Sequence, residues 1–475
     1  MMPYPGFCGP SHTLQSPLAR AERSMNLYPE YMDVGGQRQI ILSHTPGLAS
    51  FGSASDGNCR GLFEQNGRCF AVIGPTLYEV ASDGTLTNRG TVAVDQYPVT
   101  MQTNGDGGDE LLITSGDKGY ILTLGTNVLT EEVSDVTMGG MMDGYFVALD
   151  IASSTFKISD SLDGKTWDST QILQRSTAPD PWQSLLVKWP VVFLFGEETT
   201  DAVFDSGASP FPFAPVPGIL IPYGIAASFS AQSLGNYVLW LTDTKDGGRQ
   251  VVAMQGYNAR VVSNSAVEYA LSRFNRVSDA VSFTYQDQGH EFYELNFPSA
   301  KATWVYDLTN GLWHERGHWN NIAGVYEAWG PQYHAQAFGH HLVGDATSGT
   351  IYRMATDLYV DTDGNGLRRQ RTPPALHDNQ ARMFLSKFQL HMDVGRGLTS
   401  GQGSDPQVMM EMSRNGGVTW GSERWRSAGK IGKYEHRVQW HICGSGRNLI
   451  PRVTITDPIP VRITDAYAEV GRGAF

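Results

Sequence analysis

The sequence predicts an all-β protein: a β-propeller of about seven blades, with six as the alternative, an extended N-terminal arm and a C-terminal β-sandwich. Three observations support this prediction: a sequence repeat (called a phrase below) that occurs seven times, a turn-rich composition, and a second block of alternating strands near the end of the chain. The chain has 475 residues, of which 53 are Gly and 11% are aromatic, as suits turn-rich β-structure. A chain of this length exceeds one ordinary core, so two domains are expected.

The recurring phrase predicts the propeller. Each copy has a turn residue, a short aromatic or β-branched run, a second turn and another strand-like run. Successive copies start 35 to 54 residues apart, and a four-stranded blade takes about 40–50 residues. Residues 182–216 are short and proline-rich for a blade, which leaves six blades as the alternative. The copies begin at Gly67, Asp109, Gly144, Trp189, Gly235, Gly289 and Gly339.

Residues 1–45 precede the repeat and are predicted to be an extended N-terminal arm. Five prolines are spread among polar residues, and such a segment is too extended to fold alone. We expect it to lie along a neighbouring surface. Residues 46–356 are assigned to the propeller.

One short helix is predicted between blades, within residues 264–274. Ser265 and Glu268 match a capping box. Three apolar residues recur at helical spacing, which predicts one buried face; they are Val267, Leu271 and Phe274.

Residues 357–374 are predicted to be a linker, and residues 375–475 a β-sandwich. The linker combines an Asp/Gly/Asn turn, a charge run and a Pro-Pro pair, which together mark a domain junction. Beyond it, five or six alternating strands fall within about 100 residues, the density of a small sandwich. The charge run consists of Arg368, Arg369 and Arg371.

The charge balance argues against a nucleic-acid-binding surface. The formal net charge is −13, from 48 acidic and 35 basic residues, whereas binding phosphates needs a basic face. The balance is compatible with a passage that repels DNA, because acidic walls let a polyanion slide past.

Compartment signals point to synthesis in a reducing cytoplasm. The N-terminus lacks the basic start and apolar core of a signal peptide, and no run approaches the roughly 20 apolar residues of a membrane span. The cysteines lie too far apart for a zinc knuckle or a dense disulfide framework, and Cys69 is predicted to be a buried thiol. They are Cys8, Cys59, Cys69 and Cys443.

Residues 314–318 (His-Glu-Arg-Gly-His) match the H-E-x-x-H pattern of zinc proteases. That pattern works on a helix, where the two histidines share one face and the glutamate activates a zinc-bound water. Here the preceding segment reads as a strand and a hairpin turn, and Gly317 would weaken a helix. We predict the last strand of a blade rather than a metal site.

A weak cation site at Asp361, Asp363 and Asn365 is left open. These residues with Gly366 match the first half of a calcium loop, but Thr372 stands where a bidentate carboxylate is needed. A solvated Asx/Gly turn is the favoured interpretation.

Two turns resemble the Asp-box of sialidases and related propellers. Residues 413–420 (Ser-Arg-Asn-Gly-Gly-Val-Thr-Trp) carry Asn415 in place of Asp, and residues 161–167 are a shortened relative around Asp163. In this phrase a polar side chain closes a hairpin turn while Trp covers the adjoining core. It marks a fold, and it is not an active site.

No catalytic, cofactor-binding or metal-binding residues are predicted, and no cofactor. There is no phosphate loop, nucleophile elbow or dinucleotide fingerprint. Four histidines invite a metal hypothesis, but two of them, His340 and His341, are neighbours that alternate between the faces of a strand and cannot chelate together. Blade-surface histidines are the favoured interpretation of all four. They are His290, His334, His340 and His341. The sequence therefore predicts a protein that is not an enzyme.

Several sequence segments, taken in their order along the chain, resemble the packaged-DNA stabilisation proteins of short-tailed phages, also called tail hub or nozzle proteins. The resemblance covers nearly the whole chain. The segments that carry it are 26–30, 45–47 with 60–62, 74–80 with 83–85, the helix at 265–274, 304–307 with 313–316, and 413–420.

The resemblance implies a virion structural protein of the phage tail, made in the host cytoplasm. Members form a sixfold ring beneath the portal adaptor, extend the DNA channel and help retain packaged DNA. Tail fibres or tailspikes attach around the ring, and a needle or plug can close its distal end. DNA is expected to pass through the lumen without specific binding, and no membrane insertion is expected.

Two alternatives come from other classes. A propeller glycosidase or sialidase would also contain Asp-box turns. A carbohydrate-binding or extracellular interaction propeller would need an export signal, which this sequence lacks.

Overall fold

The computed structural model describes residues 1–15, 21–34, 37–105, 107–175, 178–244 and 248–473. Six strands precede the repeat region, and only the last of them belongs to the propeller. They are β1 (Met2–Pro3), β2 (His12–Thr13), β3 (Ala21–Met25), β4 (Leu27–Val34), β5 (Gln37–His44) and β6 (Gly47–Ser53).

The first three blades are four-stranded antiparallel sheets, each paired in chain order from the first strand to the fourth. Blade 1 comprises β7 (Cys59–Gln65), β8 (Arg68–Ile73), β9 (Thr76–Val80) and β10 (Leu86–Thr91). Blade 2 comprises β11 (Thr100–Thr103), β12 (Glu110–Ser115), β13 (Lys118–Thr123) and β14 (Val128–Ser134). Blade 3 comprises β15 (Met138–Met142), β16 (Tyr145–Asp150), β17 (Thr155–Ile158) and β18 (Ile172–Gln174).

The next three blades repeat this pattern. Blade 4 comprises β19 (Trp182–Lys188), β20 (Val191–Gly196), β21 (Thr200–Asp205) and β22 (Phe213–Pro215). Blade 5 comprises β23 (Gln232–Leu234), β24 (Tyr237–Asp243), β25 (Arg249–Gln255) and β26 (Asn258–Val261), and helix α1 (Ser265–Ser272) follows it. Blade 6 comprises β27 (Val281–Asp287), β28 (His290–Phe297), β29 (Ala302–Asp307) and β30 (Leu312–Arg316).

The seventh blade closes the ring with a strand from the N-terminal side. A hairpin of β31 (His318–Asn320) and β32 (Val325–Glu327) comes first, and β33 (Pro331–Ala337), β34 (His340–Asp345) and β35 (Thr350–Ala355) follow. The fourth strand of the blade is β6, antiparallel to β35. Residues 182–216 form a complete blade, so the count is seven rather than six.

The seven phrases of the sequence mark the second strand of each blade. These strands are the most apolar because both of their faces are covered: all six residues of β12 and of β20 are buried. The fully buried thiol of Cys69 lies on one of them, β8, as predicted.

Helix α1 forms where predicted, but its N-cap lies one residue earlier than the capping box implied. Asn264 is the N-cap, and its Oδ1 accepts hydrogen bonds from the backbone N–H groups of Ala266 and Val267, both at 3.0 Å. Glu268 instead accepts a hydrogen bond from the Ser263 hydroxyl, at 3.0 Å. None of the helices in the described part of the chain is long and apolar enough to cross a membrane.

Seven strands follow the propeller and build most of the sandwich. They are β36 (Arg369–Thr372), β37 (Met383–Met392), β38 (Gln407–Ser413), β39 (Arg424–Ser427), β40 (Val438–Gly446), β41 (Ile450–Ile455) and β42 (Arg462–Arg472). One sheet has the order β4-β5-β42-β37-β40, and the other has the order β3-β36-β41-β38-β39.

The N-terminal segment is part of the sandwich rather than an extended arm. Strands β4 and β5 form a hairpin whose β5 pairs with β42, and β3 pairs with β36. Tyr4 and Phe7 are buried in the sandwich core, where both rings pack against Phe388. The prediction that this segment lies on a surface fails because its strands have partners more than 300 residues away. Residues 16–20 and 35–36 of the proposed arm lie outside the described residues.

The charge run at the proposed linker is also structured. Arg369–Thr372 is β36, and all four of its residues are buried in the middle of a sheet. Through β3, which forms a parallel bridge between Met25 and Glu315, this sheet continues into blade 6. Propeller and sandwich therefore share one ten-stranded sheet.

Candidate functional site

A cavity of about 1100 Å3 lies along the propeller axis. Its wall includes residues from the first strand of every blade, because these strands are innermost in the ring. Glu64 and Asp143 are its charged residues, and no Lys or Arg of the described chain lines it. The wall of this cavity is neutral to acidic.

Two aromatic rings close one end of this cavity. Tyr97 precedes the inner strand of blade 2 and Phe229 precedes that of blade 5, on opposite sides of the ring, yet their centroids are 5.9 Å apart. Both loops are held: Arg60 donates to the Tyr97 carbonyl at 3.2 Å, and the Ser184 hydroxyl donates to the Ser228 carbonyl at 2.5 Å. The axis of a single propeller is therefore a blind cavity. Nothing in the sequence pattern signalled this contact, since the two rings are 132 residues apart.

Of the histidines interpreted as blade-surface residues, His290 is buried and the other three are half-buried. His334 and His341 lie on adjacent strands with Nε2 and Nδ1 3.0 Å apart. Burial and the neighbouring His341 lower the pKa of His334 to about 3, so it is neutral at physiological pH. His290 is buried, and a hydrogen bond from its Nδ1 to Asp307, at 2.8 Å, raises its pKa.

The H-E-x-x-H segment is not on a helix. His314 lies on β30 and His318 begins β31, with Gly317 between the two strands. Burial lowers the pKa of His314 to about 3, and His318 Nδ1 lies 3.1 Å from Asp361 Oδ2. The motif is the strand predicted from its context. Across the described ranges, no group of three or more His, Cys, Asp or Glu side chains is placed to hold a metal ion.

The calcium-like turn is satisfied by its own hydrogen bonds. Asp363 accepts hydrogen bonds from the Asn365 backbone, at 3.0 Å, and from the Asn365 side chain, at 2.6 Å. Asp361 lies within hydrogen-bond distance of His318, and it accepts a hydrogen bond from the Thr362 backbone N–H at 2.8 Å. These contacts are those of an Asx turn.

Both Asp-box-like segments close turns. Asp163 accepts from the Lys165 backbone N–H at 3.0 Å and from the Thr166 hydroxyl at 2.9 Å. Asn415 accepts from the Thr419 backbone N–H at 3.0 Å, and Trp420 stacks on the Arg452 guanidinium at 3.9 Å. Their role is structural, as the sequence indicated.

Fully buried arginines, which sequence reasoning missed, hold segments that are distant in the sequence, and the first of them, Arg316, lies inside the propeller. The Arg316 guanidinium lies 3.3 Å from the centroid of the Trp329 ring, donates to Glu294 at 3.3 Å and donates to the Pro46 carbonyl at 2.7 Å. Burial raises the pKa of Glu294 to about 7. These contacts tie blade 6 to the strand that closes the ring.

A second buried arginine, Arg371, anchors the N-terminal segment. Its guanidinium donates to the carbonyls of Phe7, Gly9, Pro10 and Gly6 and to the Ser24 hydroxyl, at 2.5–3.2 Å. In the sequence, Arg371 belongs to a run of arginines that is typical of a solvated segment, so its burial could not be predicted.

Two family models match the chain. One describes the β-propeller of bacteriophage P22 Gp10 and matches residues 20–359; the other describes its β-sandwich and matches residues 368–471. No curated protein sequence matches.

Several solved structures are weakly similar to this chain. The N-terminal domain of Nup159 is 10% identical, with a TM-score of 0.42, covering 70% of this chain and 99% of that one. Virginiamycin B lyase from Staphylococcus aureus is 10% identical, with a TM-score of 0.38, covering 69% and 99%. Exo-β-1,3-galactanase from Phanerochaete chrysosporium is 10% identical, with a TM-score of 0.29, covering 89% and 99%. Likenesses this weak carry no argument about function.

The family matches together span nearly the whole chain and agree with the propeller and sandwich described above. They confirm the resemblance drawn from the ordered sequence phrases. The chain belongs to the phage stabilisation family of bacteriophage P22 Gp10, and it is a structural protein of a phage tail.

Proposed function

We propose that this chain is a subunit of the tail nozzle or hub that extends the DNA channel below the portal adaptor. In this role it helps retain packaged DNA and provides docking for fibres or tailspikes, and it works in the virion after synthesis in the host cytoplasm. The observation that supports the proposal is the blind axis of the propeller. Because Tyr97 and Phe229 close it, a duplex cannot follow the axis of one subunit. A DNA channel must therefore be enclosed by several copies.

The shape of the chain suits such a ring. Propeller and sandwich share a ten-stranded sheet, so the subunit presents one rigid surface to its neighbours. Closed cyclic symmetry is the common arrangement for homo-oligomers, and a sixfold ring is our proposal for this chain. The net charge of −13 favours walls along which DNA slides without adhering.

We also infer that the chain has no enzymatic role. The segments that resemble catalytic or metal motifs are a blade strand, an Asx turn and two hairpin turns. Each has a structural explanation in the hydrogen bonds and burial described above.

The test is assembly on the natural template. Purified chain is mixed with the portal–adaptor complex of the same phage and imaged by negative-stain electron microscopy. We expect sixfold rings with a central opening on the adaptor end, and DNA leakage from filled heads that falls when the chain is added. A chain that does not attach to the complex, or attaches without changing leakage, contradicts the proposal. A fluorogenic glycoside assay on the same preparation checks the enzymatic alternative.

A further inference from the structure

The chain divides into an acidic and a basic part. Residues 375–475 contain 13 Lys and Arg against 9 Asp and Glu, whereas residues 1–374 contain 22 against 39. Residues 375–475, which contain most of the sandwich, therefore carry a formal charge of +4, and residues 1–374 carry −17. Complementary charges on one chain can steer two copies together.

The exposed basic residues of the sandwich include those on one loop between β39 and β40. We call residues 429–437 the basic loop. Every residue from Lys430 to Arg437 is exposed, and Lys430, Lys433 and Arg437 form no ion pair with any residue in the described ranges. With Glu435 included, the formal charge of the loop is +2. Two apolar side chains stand among these charges, Ile431 with 55% and Tyr434 with 67% of the surface exposed.

The basic loop has a defined shape although nothing covers it. The backbone N–H of Gly432 donates to the Gly395 carbonyl at 3.2 Å, and His436 Nε2 lies 3.0 Å from the Ser427 carbonyl. Gly429, with φ of +88°, allows the turn at its base. A loop that is held in place loses less conformational entropy on binding. Exposed apolar groups on such a loop are typical of an interaction site.

A complementary surface surrounds the open end of the axial cavity. We call Glu64, Asp143, Leu162 and Trp189 the acidic mouth. Glu64, Asp143 and Trp189 end or follow inner strands, at the end of the cavity opposite the Tyr97–Phe229 contact.

The acidic mouth has unpaired charge and exposed apolar surface. Trp189 is 74% exposed and Leu162 is 47% exposed. Trp189 Nε1 donates to Asp143 Oδ1 at 3.1 Å, and Glu64 accepts from the Gly67 backbone N–H at 2.8 Å. Neither carboxylate has a basic side chain within ion-pair distance in the described part of the chain. A large exposed indole beside Asp143, with Glu64 on the same cavity wall, suits a cationic, partly apolar ligand.

We propose that the basic loop of one copy docks in the acidic mouth of the next copy in the ring. Ile431 and Tyr434 would contact Trp189 and Leu162, and the basic side chains would neutralise Glu64 and Asp143. The contact joins two different surfaces, so it is head-to-tail and propagates around a closed ring. One loop buries little area, so this contact fixes the register of a larger interface. The proposal rests on the ring assembly proposed above.

DNA is the alternative binding partner of the basic loop, because basic and aromatic residues together can bind DNA. Charge complementarity favours the second copy: the loop is matched by a mouth of opposite charge on the same molecule, and that mouth repels phosphates. The test below distinguishes the two occupants.

The experiment is site-specific crosslinking in the full chain. A photo-crosslinking amino acid replaces Tyr434, and this chain is mixed with a second, differently tagged copy, with and without the portal–adaptor complex. Mass spectrometry locates the crosslinks, and the tags separate contacts between copies from those within one. We expect crosslinks between copies at residues around Asp143 and Trp189. Lys433→Glu should lower their yield about tenfold, which corresponds to about 1.4 kcal/mol, whereas Arg447→Glu, an exposed control on the sandwich, should not.

A charge swap makes the test specific. Asp143→Lys alone should also lower the yield, and combining it with Lys433→Glu in the partner copy should restore it. These positions are exposed, so the variants should keep their circular dichroism spectrum. Crosslinks confined to one copy, crosslinks to another surface, or capture of added duplex DNA instead would each overturn the proposal. Ring formation on the adaptor is scored separately by microscopy, so rings without this crosslink reject the docking contact while leaving the nozzle proposal standing.

Discussion

Replacing Arg371 by Met should detach the N-terminal segment from the sandwich. The guanidinium is 1% exposed and donates five hydrogen bonds to this segment and to Ser24. A hydrogen bond from a charged donor contributes about 1.5–3 kcal/mol. The full sum will not be lost, because the freed carbonyls can regain water when the segment moves. A buried acceptor left without its donor costs about 1–3 kcal/mol, so with some of the carbonyls rehydrated we expect a total loss of about 3–5 kcal/mol.

The assay combines guanidinium unfolding with hydrogen exchange of residues 4–11. In the native chain, the Tyr4 backbone N–H donates to Ala466 at 2.7 Å and that of Ser11 donates to Trp313 at 3.1 Å, so both amides should be protected. Arg371→Met should remove this protection together with the stability. Arg371→Lys, which keeps the charge with fewer donors, should fall between the two. The exposed Arg447→Met is the matched control.

One outcome would refute the reasoning. If Arg371→Met were as stable as Arg447→Met, within about 0.5 kcal/mol, and residues 4–11 kept their slow exchange, the buried arginine would not anchor the segment. The apolar contacts of Tyr4 and Phe7 would then suffice alone.

Three further predictions concern the axis, the buried histidine and the calcium-like turn. Tyr97→Ala and Phe229→Ala should show a coupling of about 1 kcal/mol in a double-mutant cycle of unfolding free energies; additive effects would mean that the rings do not close the axis. Because the pKa of His314 is lowered to about 3, the unfolded chain binds a proton below pH 6.5 that the native chain excludes, so His314 should contribute a fall in stability of about 1.4 kcal/mol for each unit that the pH drops between 6.5 and 3; His334 should contribute a similar fall. His314→Leu should reduce this dependence of stability on pH. If the dependence is unchanged, other groups cause it. Calcium or a chelator should leave the melting temperature of the native chain and of Asp361→Asn equally unaffected, whereas a calcium-dependent rise lost in the variant would establish a cation site.

The repeat could be predicted because the second strand of each blade is covered on both faces. Such strands read as continuous apolar runs after a turn, as at Val191–Gly196. The inner strands have weaker patterns because they face the axial cavity: Thr100–Thr103 alternates Thr, Met, Gln and Thr. The repeat period and the turn residues therefore predicted the blades, whereas the sequences of the inner strands did not predict the lining of the axial cavity.

The N-terminal segment and the junction could not be predicted because their partners are distant in the sequence. Leu27–Val34 contains Pro29 and has no apolar run, yet it pairs with β5 at the edge of a sheet, where proline is tolerated. Arg369 and Arg371 look like solvated residues in isolation. Their burial depends on backbone carbonyls of two other segments, Asp457 and residues 6–10.

Closure of the ring by β6 has a consequence during synthesis. This strand leaves the ribosome early, but its partner β35 is made about 300 residues later, and β42, the partner of β5, later still. Until then Tyr28, Leu42 and Leu48 stay exposed in the nascent chain, because the cores that bury them have not yet formed. Contacts this distant form slowly and expose the chain to aggregation. Locking of the propeller by β35 and completion of the sandwich by β42 are therefore both late events, so a chain that ends before β35 should not yield a closed ring of blades.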